Sequence, residues 1–246
     1  MLNDIILTAT LVLQLKAGAV IGSASGFFYE KGDGLYLVTN QHVVKGSDGA
    51  APDTLRLRLH VDAKDISKND SFEVPLYADG RPVWKINPQQ RDADIAVVKL
   101  DRAQLKGRFI VKAWSSDGFL PQKYVLQPGE DVFIMGYPLG FHDQSHNLPI
   151  FRDAMVASAY RVPFEGKPLF LTDANLHPGT SGSAVITKPK NIWVDDKGNA
   201  DIKTGTVYYL VGVHSATLDL KGNKGQPLGL GAAWYAELIE DIVSQF

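Results

Sequence analysis

The feature that most constrains the fold is a succession of short β-rich runs, separated by Gly, Pro, Asn and Asp, along nearly the whole chain. Convincing helical periodicity is confined to residues 236–246, where Leu238, Ile239, Ile242 and Val243 recur beside acidic residues. This pattern is typical of all-β barrels and sandwiches, and here it predicts a single helix at the C-terminus.

The β-rich runs fall into two groups. Predicted strands of the first half lie at residues 5–15, 26–29, 35–39, 54–61, 72–76, 83–86 and 95–100, and those of the second half at 131–135, 150–162, 169–172, 184–187, 207–214 and 228–234. Six or seven strands are enough to close a small barrel, and residues 101–127 connect the two groups. We therefore expect two six-stranded antiparallel β-barrels, with domains at 1–115 and 116–246.

Composition excludes several classes of function. The chain has no cysteine, so it holds no disulfide, thiolate metal site or cysteine nucleophile. Its 25 basic and 27 acidic residues leave a net charge of −2, without the basic surplus that nucleic acid or an anionic membrane selects. The apolar run at 5–15 is shorter than a membrane span and alternates as a strand does. With no export signal recognised, a cytoplasmic location is expected.

One loop has the composition of a nucleophile loop. Gly179-Thr180-Ser181-Gly182 places a serine between glycines, directly before the apolar strand predicted at 184–187. Small residues between strands are most often an ordinary turn. A serine hydroxyl is also a weak nucleophile until a base removes its proton and a third group orients that base. The functional interpretation therefore depends on whether the chain supplies both groups.

A histidine and an aspartate that precede Ser181 in the chain could be the base and the group that orients it. His42 follows the strand predicted at 35–39, and Asp94 precedes the strand at 95–100. Either residue alone is typical of a solvated strand end. Together with Ser181 they follow the order His, Asp, Ser, which is known on β-barrel proteases.

The surrounding motifs resemble those of chymotrypsin-fold serine proteases, especially the bacterial HtrA-like branch without a PDZ domain and the glutamyl endopeptidases. The similar segments are Val38–Val44, Asp94–Val97 and Gly179–Gly182, supported by Ser23–Phe27, Met135–Gly140 and Thr172–Asn175. Ser183 replaces the second glycine of the usual nucleophile motif, as it does in glutamyl endopeptidases. The resemblance implies a chymotrypsin-type double barrel with the active site between its halves.

The resemblance also implies a role for each matched residue. His42 would be the general base, Asp94, preferred over Asp92, would orient it, and Ser181 would be the nucleophile. The backbone N–H groups of Gly179 and Ser181 would form the oxyanion hole. We expect a protein or peptide substrate, no cofactor, no metal and no nucleic-acid or membrane partner. Because no peptide-binding domain is expected, regulation would come from loops, oligomerisation or a partner protein, and the resting enzyme is either active or latent.

The expected substrate pocket leaves two preferences open. Its candidate residues are Asn175, Leu176, His214, Ser215 and Ala216. Asn175 stands where a trypsin-type pocket carries its acid, so a preference for Lys or Arg is not expected. Leu176 favours a small or medium apolar residue before the scissile bond. His214 lies in a Gly-x-His strand that resembles the pocket strand of glutamyl endopeptidases, which favours Glu or Gln instead.

Two other interpretations remain. His142 and His146 are four residues apart, the spacing of a helical metal pair, but a loop is expected there because Gly140 and Pro149 flank them. The fold itself does not guarantee activity, so a catalytically silent binding module is the second class of function. Intact His42, Asp94 and Ser181 favour the enzyme.

Overall fold

A computed structural model describes residues 4–46, 51–219 and 227–246. After a 3₁₀ helix at Asp4–Thr8, the first half forms one antiparallel sheet of seven strands, called here the N-terminal sheet. Its strands are β1 (Ala9–Lys16), β2 (Ala19–Lys31), β3 (Gly34–Thr39), β4 (Thr54–His60), β5 (Asn69–Pro75), β8 (Trp84–Ile86) and β9 (Ala96–Leu100), in the order β5-β4-β1-β2-β3-β9-β8.

The N-terminal sheet differs from the closed six-stranded barrel that the sequence predicts. It has a seventh strand, and within the described residues its edge strands β5 and β8 do not pair. A small hairpin, β6 (Tyr77–Ala78) and β7 (Arg81–Pro82), separates them. Pro75, at the end of β5, and Pro82, at the end of β7, have no N–H to donate to a neighbouring strand. Val83 N, which follows Pro82, donates to Leu76 O at 3.0 Å and joins the two ends of the hairpin segment.

The second half forms a closed antiparallel barrel, called here the C-terminal barrel. Its six strands are β10 (Asp131–Gly136), β11 (Ile150–Val156), β12 (Leu169–Asp173), β13 (Ala184–Thr187), β16 (Leu210–Asp219) and β17 (Pro227–Tyr235), in the order β10-β11-β12-β17-β16-β13. The all-β class, the closed six-stranded barrel and the C-terminal helix, α3 (Leu238–Val243), are confirmed. The predicted domain boundary between 115 and 116 stays a prediction.

A second hairpin was not predicted. It consists of β14 (Lys190–Val194) and β15 (Ala200–Val207), which pair with each other and with no strand of the barrel in the described residues. Trp193 of β14 is buried and stacks on Tyr124 at a centroid distance of 5.4 Å. Two short α-helices, α1 (Gln41–Lys45) and α2 (Arg102–Leu105), and two 3₁₀ helices, at Ser116–Gly118 and Pro138–Gly140, complete the described elements.

The two halves share a continuous apolar core. Phe27 and Val38 of the N-terminal sheet belong to the same buried cluster as Met135 and Val213 of the C-terminal barrel. Apolar surface buried in this way stabilises the contact by about 25 cal/mol per Å². No helix in the described parts of the chain is long and apolar enough to cross a membrane.

Candidate active site

His42 lies on α1, directly after β3, and contacts Asp94 through two hydrogen bonds. Its ring Nδ1 is 2.7 Å from Asp94 Oδ2, and its backbone N donates to Asp94 Oδ1 at 3.0 Å. Asn40, at the N-terminal end of α1, donates from Nδ2 to the backbone O of Asp94 at 2.6 Å. The imidazole is therefore held from one edge, while its side chain remains 45% exposed.

Asp94 lies in the turn before β9 and receives a third bond. The hydroxyl of Ser215 donates to Asp94 Oδ2 at 2.7 Å. Burial by itself would raise the pKa of Asp94, but the bonds from His42 and Ser215 outweigh it and lower that pKa below its usual value. Asp94 is thus an anion at neutral pH. Asp92, the rejected alternative, is exposed and pairs with Lys167 at 3.3 Å.

Ser181 lies in the loop between β12 and β13 and is partly buried. Its hydroxyl is 3.3 Å from the backbone O of Ser215. No hydrogen bond joins Ser181 Oγ to His42, although both residues are among those described. Such bonds are often long or unformed before substrate binds, so their absence does not exclude the pair.

Gly179 has a conformation and surroundings that require glycine. Its φ is +91°, and a Cβ there would lie 2.6 Å from Leu139 N and 2.9 Å from Tyr137 O. The carbonyl of Pro178 accepts a bond from Leu139 N at 2.6 Å. Because a trans peptide places N–H and C=O on opposite sides, the Gly179 N–H points away from Leu139.

The backbone N–H groups of Gly179 and Ser181 are both unpaired. Neither donates to an acceptor in the part of the chain that the structure describes, whereas Thr180 N, Gly182 N and Ser183 N all do. Two free N–H groups, two residues apart and beside a serine hydroxyl, can bind a negatively charged oxygen. This is the arrangement that the resemblance implies for an oxyanion hole.

The expected pocket residues differ in their burial and in their contacts. Asn175 is exposed, and its backbone O accepts a bond from the Arg152 guanidinium. Leu176 is buried in the core cluster of the C-terminal barrel, and Ala216 is exposed. Ser215, expected in the pocket, instead contacts Asp94 and Ser181.

His214 is buried without the partner that a structural histidine normally has. It is 2% exposed, and its Nδ1 has no hydrogen-bond partner. The ring packs closely against Gly231, which has no Cβ: a Cβ there would lie only 3.1 Å from His214 Cε1. Burial lowers the pKa of the imidazole to about 4, so the ring is neutral at pH 7. The charge of Asp94 opposes this shift, and His42 adds to it.

His142 and His146 lie in a loop, as expected, and their Nδ1 atoms have other partners. His142 Nδ1 is 2.6 Å from Gly140 O, and His146 Nδ1 is 2.7 Å from Asp143 Oδ2. Among the described residues, no group of three or more His, Asp or Glu side chains is placed to hold a metal ion.

Sequence reasoning missed three polar contacts of this site. The Oγ of Ser215, the amide of Asn40 and the Oγ of Ser25 all bond to the residues or loops just described. Ser215 is 121 positions from Asp94 and Ser25 is 154 positions from Gly179. Serine and asparagine are common in β proteins, so only the three-dimensional structure reveals these pairs.

Comparisons with known proteins bear on the family and the fold of this chain. The family model for the trypsin-like peptidase domain matches residues 24–192. Among solved structures, a serine endoprotease from Yersinia pestis superposes with a TM-score of 0.57 at 17% identity, over 98% of this chain and 62% of the other. The structure named Deg5 superposes at 0.55 and 20% identity, over 96% and 87%. The chain thus spans less than two thirds of the Yersinia protein, and no curated protein matches it.

Proposed function

Because the chain belongs to the trypsin-like peptidase domain family, we propose that it is a serine endopeptidase that acts through Ser181, His42 and Asp94. The observation that carries the proposal is the pair of hydrogen bonds between His42 and Asp94, 2.7 Å long at Nδ1 and 3.0 Å long at the backbone N. A carboxylate that holds Nδ1–H leaves Nε2 as the basic nitrogen, which is what a general base requires.

In the proposed reaction, Ser181 Oγ attacks the carbonyl carbon of the scissile bond while His42 Nε2 takes its proton. The charge that forms on the carbonyl oxygen is bound by the N–H groups of Gly179 and Ser181. His42 then gives the proton to the leaving amine, and an acyl group remains on Ser181. Water, deprotonated by the same imidazole, releases the acyl group as a carboxylic acid.

The resting hydroxyl of Ser181 must turn before it can react. At 3.3 Å its bond to Ser215 O is long, so exchanging it for a bond to His42 Nε2 costs little. The side chain of Ser181 has one torsion, about its Cα–Cβ bond, that moves Oγ between staggered positions. We therefore infer that bound substrate, which excludes water from the cleft, completes the pair.

The proposal is tested by labelling with a fluorophosphonate, which phosphonylates an activated serine. We expect the unsubstituted protein to label at Ser181 and Ser181→Ala to lose both labelling and peptide hydrolysis, with little change in melting temperature. Ser183→Ala is the matched control, since Ser183 is buried and two residues away, and its hydroxyl has no hydrogen-bond partner. Labelling that survives Ser181→Ala would contradict the assignment, and a failure of the unsubstituted protein to label would favour a latent or purely binding protein.

The residue before the scissile bond is a separate proposal. The sequence favours small or medium apolar residues and argues against Lys or Arg, because Asn175 supplies no negative charge. The structure offers support for the alternative, Glu or Gln. Leu176 packs into the barrel core, and His214 has a buried Nδ1 with no partner. An unpaired buried nitrogen is costly, and a polar side chain in the pocket would satisfy it.

Cleavage of a peptide library distinguishes the two preferences. If His214 reads the substrate, hydrolysis occurs after Glu or Gln, and His214→Val shifts it toward apolar residues without abolishing labelling of Ser181. Uniform cleavage after Leu, Val or Ala in the unsubstituted protein would instead support the apolar pocket and remove His214 from recognition.

A further inference from the structure

Ser25 of β2 makes polar contacts across the boundary between the two halves. The residue is fully buried. Its backbone N donates to Ser181 O at 2.9 Å, and its hydroxyl donates to Gly179 O at 2.8 Å. The same hydroxyl oxygen accepts from Tyr137 N at 2.8 Å. One side chain of the N-terminal sheet thus binds both the nucleophile loop and the end of β10.

These bonds fix the two peptide planes that flank Gly179. Leu139 N holds the carbonyl before it, at Pro178, and Ser25 Oγ holds its own carbonyl. Glycine has no side chain that would restrict rotation, and its φ of +91° is only one of the conformations open to it. The Gly179 N–H lies in the first of these planes, which Leu139 holds, and Ser25 holds the second plane, which leads from Gly179 through Thr180 to Ser181. Together the two bonds set the φ of Gly179 and the path of the loop between its two donors.

The hydroxyl of Ser25 lies in a confined, buried place. A Cβ on Gly136 would lie 2.5 Å from Ser25 Oγ and 1.9 Å from Ser183 Oγ, so the region is closely packed. If the hydroxyl is removed, Gly179 O and Tyr137 N lose their partner in a buried place, and each unpaired group is costly. Rotation of the peptide after Gly179 is then the simplest way for its carbonyl to find another donor.

We propose that Ser25 is a positioning residue that holds the oxyanion donors of the nucleophile loop in their binding orientation. This inference rests on the proposed function. The hydroxyl touches no substrate atom and acts through the backbone of Gly179 and Ser181. It also couples the halves, because the donors lie on the C-terminal barrel while the residue that orients them lies on the N-terminal sheet.

A positioning role differs from a merely structural one in its kinetic signature. Oxyanion donors act mainly in the transition state, so their misplacement lowers kcat and leaves KM nearly unchanged. A peptide aldehyde, which forms a tetrahedral adduct with the active-site serine, should lose affinity in parallel with kcat. General loosening of the fold would instead lower the melting temperature and change both kinetic constants.

The experiment compares Ser25→Ala with Ser183→Ala, which removes a neighbouring buried hydroxyl that has no partner. For Ser25→Ala we expect kcat to fall by roughly 10- to 100-fold, KM to stay within about twofold and aldehyde inhibition to weaken by a factor similar to that of kcat. Ser183→Ala should retain the kcat of the unsubstituted protein. A kcat for Ser25→Ala within twofold of the unsubstituted value, or an equal loss in Ser183→Ala, would overturn the proposal.

Two further measurements keep the outcome decisive. If Ser25→Ala does not fold, Ser25→Cys fills the space with a weak donor and should show the same loss of kcat with KM unchanged. Full activity of Ser25→Cys would count against a hydrogen-bonding role. A lack of Ser181-dependent hydrolysis in the unsubstituted protein would contradict the proposed function itself, which separates that failure from the failure of Ser25.

Discussion

Asp94 engages both of its carboxylate oxygens, one with the backbone of His42 and the other with the His42 ring and Ser215. Residue types and their order predict a triad of His42, Asp94 and Ser181, because each stands in a recognisable short motif, and the structure brings His42 and Asp94 into contact. The hydroxyls of Ser215 and Ser25 were not predictable as partners of this site. A serine has no sequence pattern that reveals a bond to a residue more than a hundred positions away.

At the scale of single residues, Asp94→Asn is expected to lower kcat by about 10³- to 10⁴-fold, because an amide does not hold His42 in the required tautomer. The measurement is steady-state hydrolysis of a peptide substrate. Asp92→Asn, which removes an exposed carboxylate paired with Lys167, is the control and should keep full activity. Equal losses in the two variants would contradict the assignment of Asp94.

His214 gives a second prediction at this scale, on stability. Burial lowers its folded pKa to about 4 from 6.5, so between these values the unfolded chain binds more protons. Stability must therefore fall as the pH drops from 6.5 to 4, by about 3 kcal/mol. Urea unfolding of the unsubstituted protein and of His214→Gln should show this loss only when His214 is present. Asp94 contributes a loss of stability of the same sign at lower pH, near and below 3.8, because its pKa is lowered.

At the scale of elements, the sequence predicts strands in which apolar and polar residues alternate regularly. Where a strand consists of small residues, the sequence predicts it too short. β2 extends over Ala19–Lys31, whereas the sequence predicted 26–29. The missing part includes Gly22-Ser23-Ala24-Ser25, whose residues have little intrinsic preference for strands. Its partners β1 and the nucleophile loop hold this part extended, and they require small residues because they approach closely. Tertiary contacts, and not intrinsic strand preference, therefore determine the length of β2.

The hairpin of β14 and β15 permits a test of what attaches it. Trp193→Ala should cost about 3–5 kcal/mol, since Trp193 is 1% exposed and packs on Tyr124 and Tyr209. Ile202→Ser, on the same hairpin but with a 73% exposed residue, should change stability by less than about 0.5 kcal/mol. Urea denaturation measures both. A small effect of Trp193→Ala would mean that the hairpin is held by other contacts.

At the scale of the whole molecule, α3 of the second half packs against the first. Glu240 binds the Tyr29 hydroxyl and the Lys31 ammonium, and Asn87 Nδ2 donates to Asp241 Oδ2 at 3.1 Å. The sequence predicted the helix from its apolar spacing. It did not predict these partners, nor that the N-terminal sheet stays open, because both depend on distant strands meeting in three dimensions.

Removal of residues 237–246 is expected to lower the melting temperature and to separate the unfolding of the two halves in calorimetry. The reason is that Ile239 and Ile242, both fully buried, belong to the core that the halves share. Removal of residues 244–246 alone is the control and should have a much smaller effect. A single unchanged transition in the longer deletion would show that α3 does not couple the halves.

The position of α3 in the chain has a consequence for biosynthesis. Asn87, which α3 contacts, also accepts bonds from Gln89 N and Gln90 N in the segment that leads to Asp94. The ribosome makes α3 after every other described element, and Ser181 itself is made long after His42 and Asp94. A nascent chain therefore carries His42 and Asp94 without Ser181, and later Ser181 without α3. For the proposed peptidase, cleavage of neighbouring chains cannot begin before Ser181 and the strands that hold it have been made.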